Sequence, residues 1–107
     1  MWEEIVKYNN LLETAVSEMK TRSKRLAETE YYYRMALSKR LTELRAKGQA
    51  VTHLADIARG EPEIAKLRYE RDIAKGLYDS SQEAINMYKI RIRVLENQYS
   101  REWGATK

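Results

Sequence analysis

The residue types best suited to chemistry are scarce in this chain and poorly placed for it. His53 is the only imidazole, no cysteine occurs, and no Asp, Ser or Cys motif surrounds the histidine. A histidine in that setting reads as a helix-start residue rather than a general base or a pH switch. Without thiolates or an imidazole pair, zinc and thiol chemistry are excluded. The carboxylates are scattered in salt-pair contexts, and no glycine-rich phosphate loop or nucleophile motif is present. The sequence therefore predicts a non-enzymatic protein with no cofactor, no metal and no small-molecule substrate. Its cations and apolar stripes become the candidate functional groups.

Those groups must be positioned by helices. With 107 residues, 34% charged, 43% hydrophobic, one proline and four glycines, the composition favours long solvated helices over strands or disorder. Ile5, Leu12, Met19, Leu26 and Tyr33 recur at seven-residue spacing, with Tyr8, Ala15 and Ala36 at companion positions, which is a coiled-coil seam. Arg22 and Thr29 also fall on that seam and make it imperfect there. After Tyr33 the pattern skips to Leu37, Leu41 and Leu44, as a stutter does. Glu3/Lys7, Glu18/Arg22, Glu30/Arg34 and Glu43/Lys47 add Glu-to-base pairs at i, i+4. A helix over about residues 2–47 is predicted; the alternative is a start at Asn10, with Glu13 completing a capping box.

Gly48 after a basic last turn is a helix stop, and Glu61-Pro62-Glu63 is a helix start. Between them, a connector over 48–61 holds a short helix over about 53–58, capped by Thr52 and ended by Gly60. The second arm, about 62–103, has its seam at Ile64, Arg71, Tyr78, Ile85, Ile92 and Tyr99, with Leu67, Ala74, Tyr88 and Leu95 alongside. Arms of equal length joined by a short corner predict an all-α fold: an antiparallel, coiled-coil-like helical hairpin forming a single domain. Gly76, inside the second arm, suggests a close helix approach. Of Tyr31, Tyr32 and Tyr33, at least one must lie at the surface or an interface, because three successive residues spread around the helix.

Two surfaces follow. Ile73, Leu77, Ala84, Met87 and Val94 form a further apolar row that one partner helix cannot cover, which predicts a homodimer. If the arms pair with residue numbers summing to about 110, Lys20, Arg22, Lys24 and Arg25 meet Lys89, Arg91 and Arg93 in one basic belt, with Tyr88 nearby. Such a belt suits a phosphate backbone or an acidic protein. Arg22 and Arg71, on the seams, can instead reach over tyrosine rings or toward acids. The net charge of +4 permits nucleic-acid binding without demanding it. The N-terminal residues lack a signal-peptide run and no stretch is apolar enough to span a bilayer, so the expected location is cytoplasmic and no membrane partner is expected.

The connector also resembles the middle of a resolvase-type helix-turn-helix: Leu44 to Gly48, then Leu54-Ala55. That reading makes Thr52, His53 and Lys66 candidate duplex contacts, but Gly60 falls one residue late and Glu61 and Glu63 lead the would-be recognition helix. A small DNA-binding regulator is the alternative function. Within the segment 30–103, one ordered set of residues is Leu44-Arg45, Gly48, Val51-Thr52, Ala58-Arg59-Gly60, Glu63 and Leu67-Arg68. It continues through Arg71-Asp72-Ile73-Ala74, Tyr78, Glu83-Ala84-Ile85-Asn86, Arg93, Leu95-Glu96, Gln98 and Arg101-Glu102-Trp103. On these residues the segment resembles small helical proteins of temperate phages and prophages of Gram-positive bacteria. The resemblance implies an accessory role in phage replication or recombination, inside the bacterial host cell, and brings no established activity. The secreted helical hairpins with a Trp-x-Gly turn do not fit, since this corner has no tryptophan.

Overall fold

The computed structural model describes residues 1–48 and 50–105, and the side chains of Val51 and Ala105 lie outside that description. It is an all-α helical hairpin: α1 spans Trp2–Ala46, a 3-10 turn spans Val51–His53, α2 spans Leu54–Gly60 and α3 spans Pro62–Ala105. No strand occurs among the described residues. α1 is continuous through Asn9-Asn10, and its first turn opens on Met1, whose carbonyl accepts the Ile5 N–H at 3.2 Å. The chain packs as two compact units, one of Met1–Thr21 with Tyr78–Lys107 (the terminal unit), the other of Arg22–Leu77 (the corner unit).

In the corner unit, α1 ends because Gly48 adopts φ +80, a left-handed conformation that side chains other than glycine disfavour. Its N–H donates to the Arg45 carbonyl at 3.0 Å. The chain then folds back: Leu54 and Ala58 of α2 are buried against Leu44, with Leu37 and Leu41 packed alongside. The apparent stutter in the α1 pattern is thus a second stripe. Leu37, Leu41 and Leu44 serve α2, while Tyr33, buried, and Ala36, half-buried, continue the original seam. Thr52 does not cap α2. The 3-10 turn runs straight into the helix, His53 occupies the N-cap, and no side-chain capping bond forms.

Glu61 separates α2 from α3 with φ −70 and ψ 140, the extended conformation that a following proline imposes. Its N–H donates to the Ala58 carbonyl at 3.2 Å, and its own carbonyl accepts the Ala65 N–H at 2.8 Å, so one residue closes α2 and opens α3. From there α3 runs antiparallel to α1: Glu61 meets Arg40, Arg71 meets Glu30, and Leu77 meets Arg22. These pairs have residue numbers summing to about 100, not 110. The expected register treated the corner as a simple reversal at Lys47. The connector instead returns along the last turns of α1 before α3 begins, so α3 starts beside Arg40.

Both polar intrusions on the α1 seam are satisfied. Thr29, 3% exposed, directs its hydroxyl to the Arg25 and Leu26 carbonyls at 3.0 Å each, and Arg22 Nη1 donates to the Leu77 carbonyl at 3.3 Å. In the terminal unit, Ile5, Ala15, Ile85 and Ile92 are buried, and aromatic pairs link the helices: Trp2 with Tyr99 and Tyr8 with Tyr88, each with centroids 6.2 Å apart. Ser81, buried at the seam position between Ala74 and Tyr88, extends the α3 heptad through a polar residue that the apolar pattern passes over. Gly76 makes no close approach, since a Cβ built there meets nothing within 4 Å.

Urea denaturation checks these assignments in opposite directions. Leu54→Ala removes the α2 anchor and lowers stability by about 2–5 kcal/mol. Gly76→Ala meets open space in a helix interior and raises stability by about 1 kcal/mol.

Candidate interaction surfaces

The polar groups of the corner unit are organised by two arginines. Arg40 forms a bidentate pair with Glu61, Nε to Oε1 at 2.7 Å and Nη2 to Oε2 at 2.8 Å, and also reaches Glu43 at 3.1 Å. Proline-imposed extension at Glu61 presents its carboxylate to this guanidinium. Arg71 lies 4.9 Å from the Tyr33 ring centroid and donates to Glu30 at 2.9 Å and Asp72 at 2.8 Å. The seam arginine therefore uses both kinds of partner expected for it, an aromatic face and acids. Glu30 also takes Arg34, and Glu43 takes Arg40 rather than Lys47.

These bonds set the protonation of the acids. The hydrogen bond from Arg71, then that from Arg34, hold the Glu30 carboxyl below its ordinary value, outweighing partial burial that pushes the other way. The Arg40 hydrogen bond does the same for Glu61, again against desolvation. Arg40 and Arg71 are correspondingly raised, chiefly by Glu61 and Glu30. A recess beside Arg40, lined by Ala36, Lys39, Glu61, Pro62 and Ile64, is an open groove whose central charges are already paired. His53 is exposed, and no group of three or more potential metal ligands gathers among the described residues. No helix among them is long and apolar enough to cross a membrane.

Neither unit by itself assembles the expected basic belt. In the terminal unit, Lys89 and Arg93 border a shallow groove with Asn9, Leu12, Ile92 and Glu96. Lys20 lies eight residues beyond Leu12 on α1, about 12 Å along the axis. Arg91 is exposed. In the corner unit, Lys24 and Arg25 are exposed and Arg22 reaches Leu77. Within the terminal unit the register is the physical reason: Lys89 and Arg93 come level with Asn9 and Leu12 rather than with Lys20.

The expected apolar row is open. In the corner unit Ile73 and Leu77 are each 46% exposed; in the terminal unit Met87 is 49% and Val94 55% exposed, with Ala84 half-buried. Ile90, 58% exposed, was not part of the expected row, although it lies three residues after Met87 and four before Val94 on the same helix. Tyr33 is the buried member of the tyrosine triplet, leaving Tyr31 and Tyr32 exposed. Charge is also divided unevenly. The corner unit holds thirteen Lys and Arg against eight Asp and Glu, the terminal unit seven against eight, so the whole positive excess lies in the corner unit.

Comparison with known proteins finds no matching family model, no matching curated protein and no matching solved structure.

The paired acids predict a pH dependence. Glu30 and Glu61 have folded values below the ordinary 4.5, so their contribution is fully present above that value and is lost as pH falls through the lower folded values. The urea midpoint falls on acidification below about pH 5, and Glu30→Gln/Glu61→Gln flattens that fall. A double variant with the wild-type pH profile contradicts the assignment.

Proposed function

We propose that this protein is a non-enzymatic accessory factor that self-associates and acts by holding a protein or nucleic-acid partner. The observation that supports this most directly is the exposure of large apolar side chains along α3, between 46% and 58% for Ile73, Leu77, Met87, Ile90 and Val94. Ile73, Leu77, Ala84, Met87 and Val94 sit on the positions just before the seam residues, so they repeat with the 3.5-residue period that a second helical partner requires. Each such side chain contributes roughly 1.5–3 kcal/mol when fully buried against one left exposed, which favours a covered state. A homodimer brings a like row to meet it.

The setting we propose is a temperate phage or prophage acting in the cytoplasm of its bacterial host, in DNA replication and recombination or in inhibition of a host factor. The resemblance of residues 30–103 to phage accessory proteins supports that setting. The helix-turn-helix reading gains no support from the corner: Leu54 and Ala58 face the core, and acids open α3.

Sedimentation equilibrium tests the self-association. The expected species is a dimer of the 12.7 kDa chain, converted to monomer by Met87→Lys/Val94→Lys with helicity retained. A wild-type monomer at hundreds of micromolar contradicts it.

A further inference from the structure

We propose that the outer face of α1 in the corner unit is a binding site for single-stranded nucleic acid, built from Lys24, Arg25, Tyr31, Tyr32 and Lys39. The spacing places these residues together. Lys24 and Tyr31 are seven apart, as are Arg25, Tyr32 and Lys39 in succession, so they form two adjacent rows on one side of the helix. That side points away from the core, since Leu26, Thr29, Tyr33 and Ala36 occupy the packed side.

The two tyrosines are not held by the fold. Tyr31 is 59% and Tyr32 58% exposed, and their rings meet edge to face with centroids 5.5 Å apart. Met35, 57% exposed, lies one turn further along the same side. A hydrated surface gains nothing from three large apolar groups in contact with water, whereas unpaired bases offer flat faces for stacking.

The cations on this face are available because the local acids are engaged elsewhere. Glu30 is taken by Arg34 and Arg71, and Glu61 and Glu43 by Arg40. Lys24, Arg25 and Lys39 form no ion pair among the described residues. Glu28 is the carboxylate between the two rows, and Lys39 at their far end also borders the groove that holds Glu43, Glu61 and Glu63. Arg25 and Lys39 are fourteen residues apart, about 21 Å along the helix, with Tyr32 midway. Cations at both ends of an aromatic centre match a short run of backbone phosphates flanking stacked bases. A duplex keeps its bases stacked on one another and leaves the tyrosines idle; an acidic polypeptide uses the cations but has no bases to stack. The site rests on the nucleic-acid arm of the function proposed above, and it involves none of the apolar side chains of α3 on which self-association rests. A monomeric protein that still binds an oligonucleotide would therefore remove the self-association and leave this site standing, whereas a dimer that binds no oligonucleotide would do the reverse.

The test is fluorescence anisotropy of the full chain with a labelled oligo-dT strand, a duplex of equal length, and polyglutamate as competitor. The strand is expected to bind best, with a log–log salt slope of about −2 for three phosphate contacts. Tyr31→Ala/Tyr32→Ala weakens it roughly tenfold with an unchanged slope, and the corresponding Phe variant retains binding. Lys24→Ala/Arg25→Ala makes the slope shallower, and Glu28→Gln tightens binding. All of these positions are exposed, and circular dichroism checks that each variant stays helical. No binding at low salt, equal or better binding of the duplex, displacement by polyglutamate at equal charge, or a Tyr-to-Ala variant that binds as wild type each overturns the proposal.

Discussion

The return of α2 onto the end of α1 governs the corner unit. Leu44, Leu54 and Ala58 close a small core that fixes where the chain can start its second long helix. Gly48, with its left-handed backbone, permits the first reversal, and Pro62 holds Glu61 extended at the second. That extension carries the Glu61 carboxylate to Arg40, and the bidentate pair locks the start of α3 beside the middle of the last α1 turns rather than their end. The rest of the corner-unit pairing follows from this offset, including Arg71 against Glu30 and Tyr33.

Much of the fold is legible in the residues themselves. Seven-residue spacing identifies both seams, and glycine and proline mark both reversals, because helix periodicity and backbone restriction are local properties. Register is not local. It depends on how far the connector travels back along α1, and that distance is set by the depth to which Leu54 and Ala58 sink against Leu37, Leu41 and Leu44. A corner counted as a bare reversal misplaces the arms by several residues, and the basic belt drawn from that register is not formed within either unit. Polar seam residues are hard to read for a related reason. Thr29 and Ser81 interrupt an apolar pattern, yet Thr29 loses nothing on burial because its hydroxyl turns back onto its own helix.

The surface divides by chemistry as well as by packing. In the corner unit Glu30, Glu43 and Glu61 are held by Arg71 and Arg40, and the excess of lysines and arginines over acids there is the source of the protein's positive charge. The terminal unit is close to neutral and shows apolar side chains on α3. Ion-pair geometry rather than composition thus decides which charges remain available.

The register is the claim on which the account stands, and a proton NOESY spectrum of the wild-type chain tests it most directly. The structure predicts cross-peaks between the Tyr33 ring and the Arg71 side chain, whose guanidinium carbon lies 4.9 Å from the ring centroid. Cross-peaks from the Tyr33 ring to the Leu77 methyls in place of Arg71 would show arms paired as a simple reversal at Lys47 requires, and would contradict the fold-back of α2.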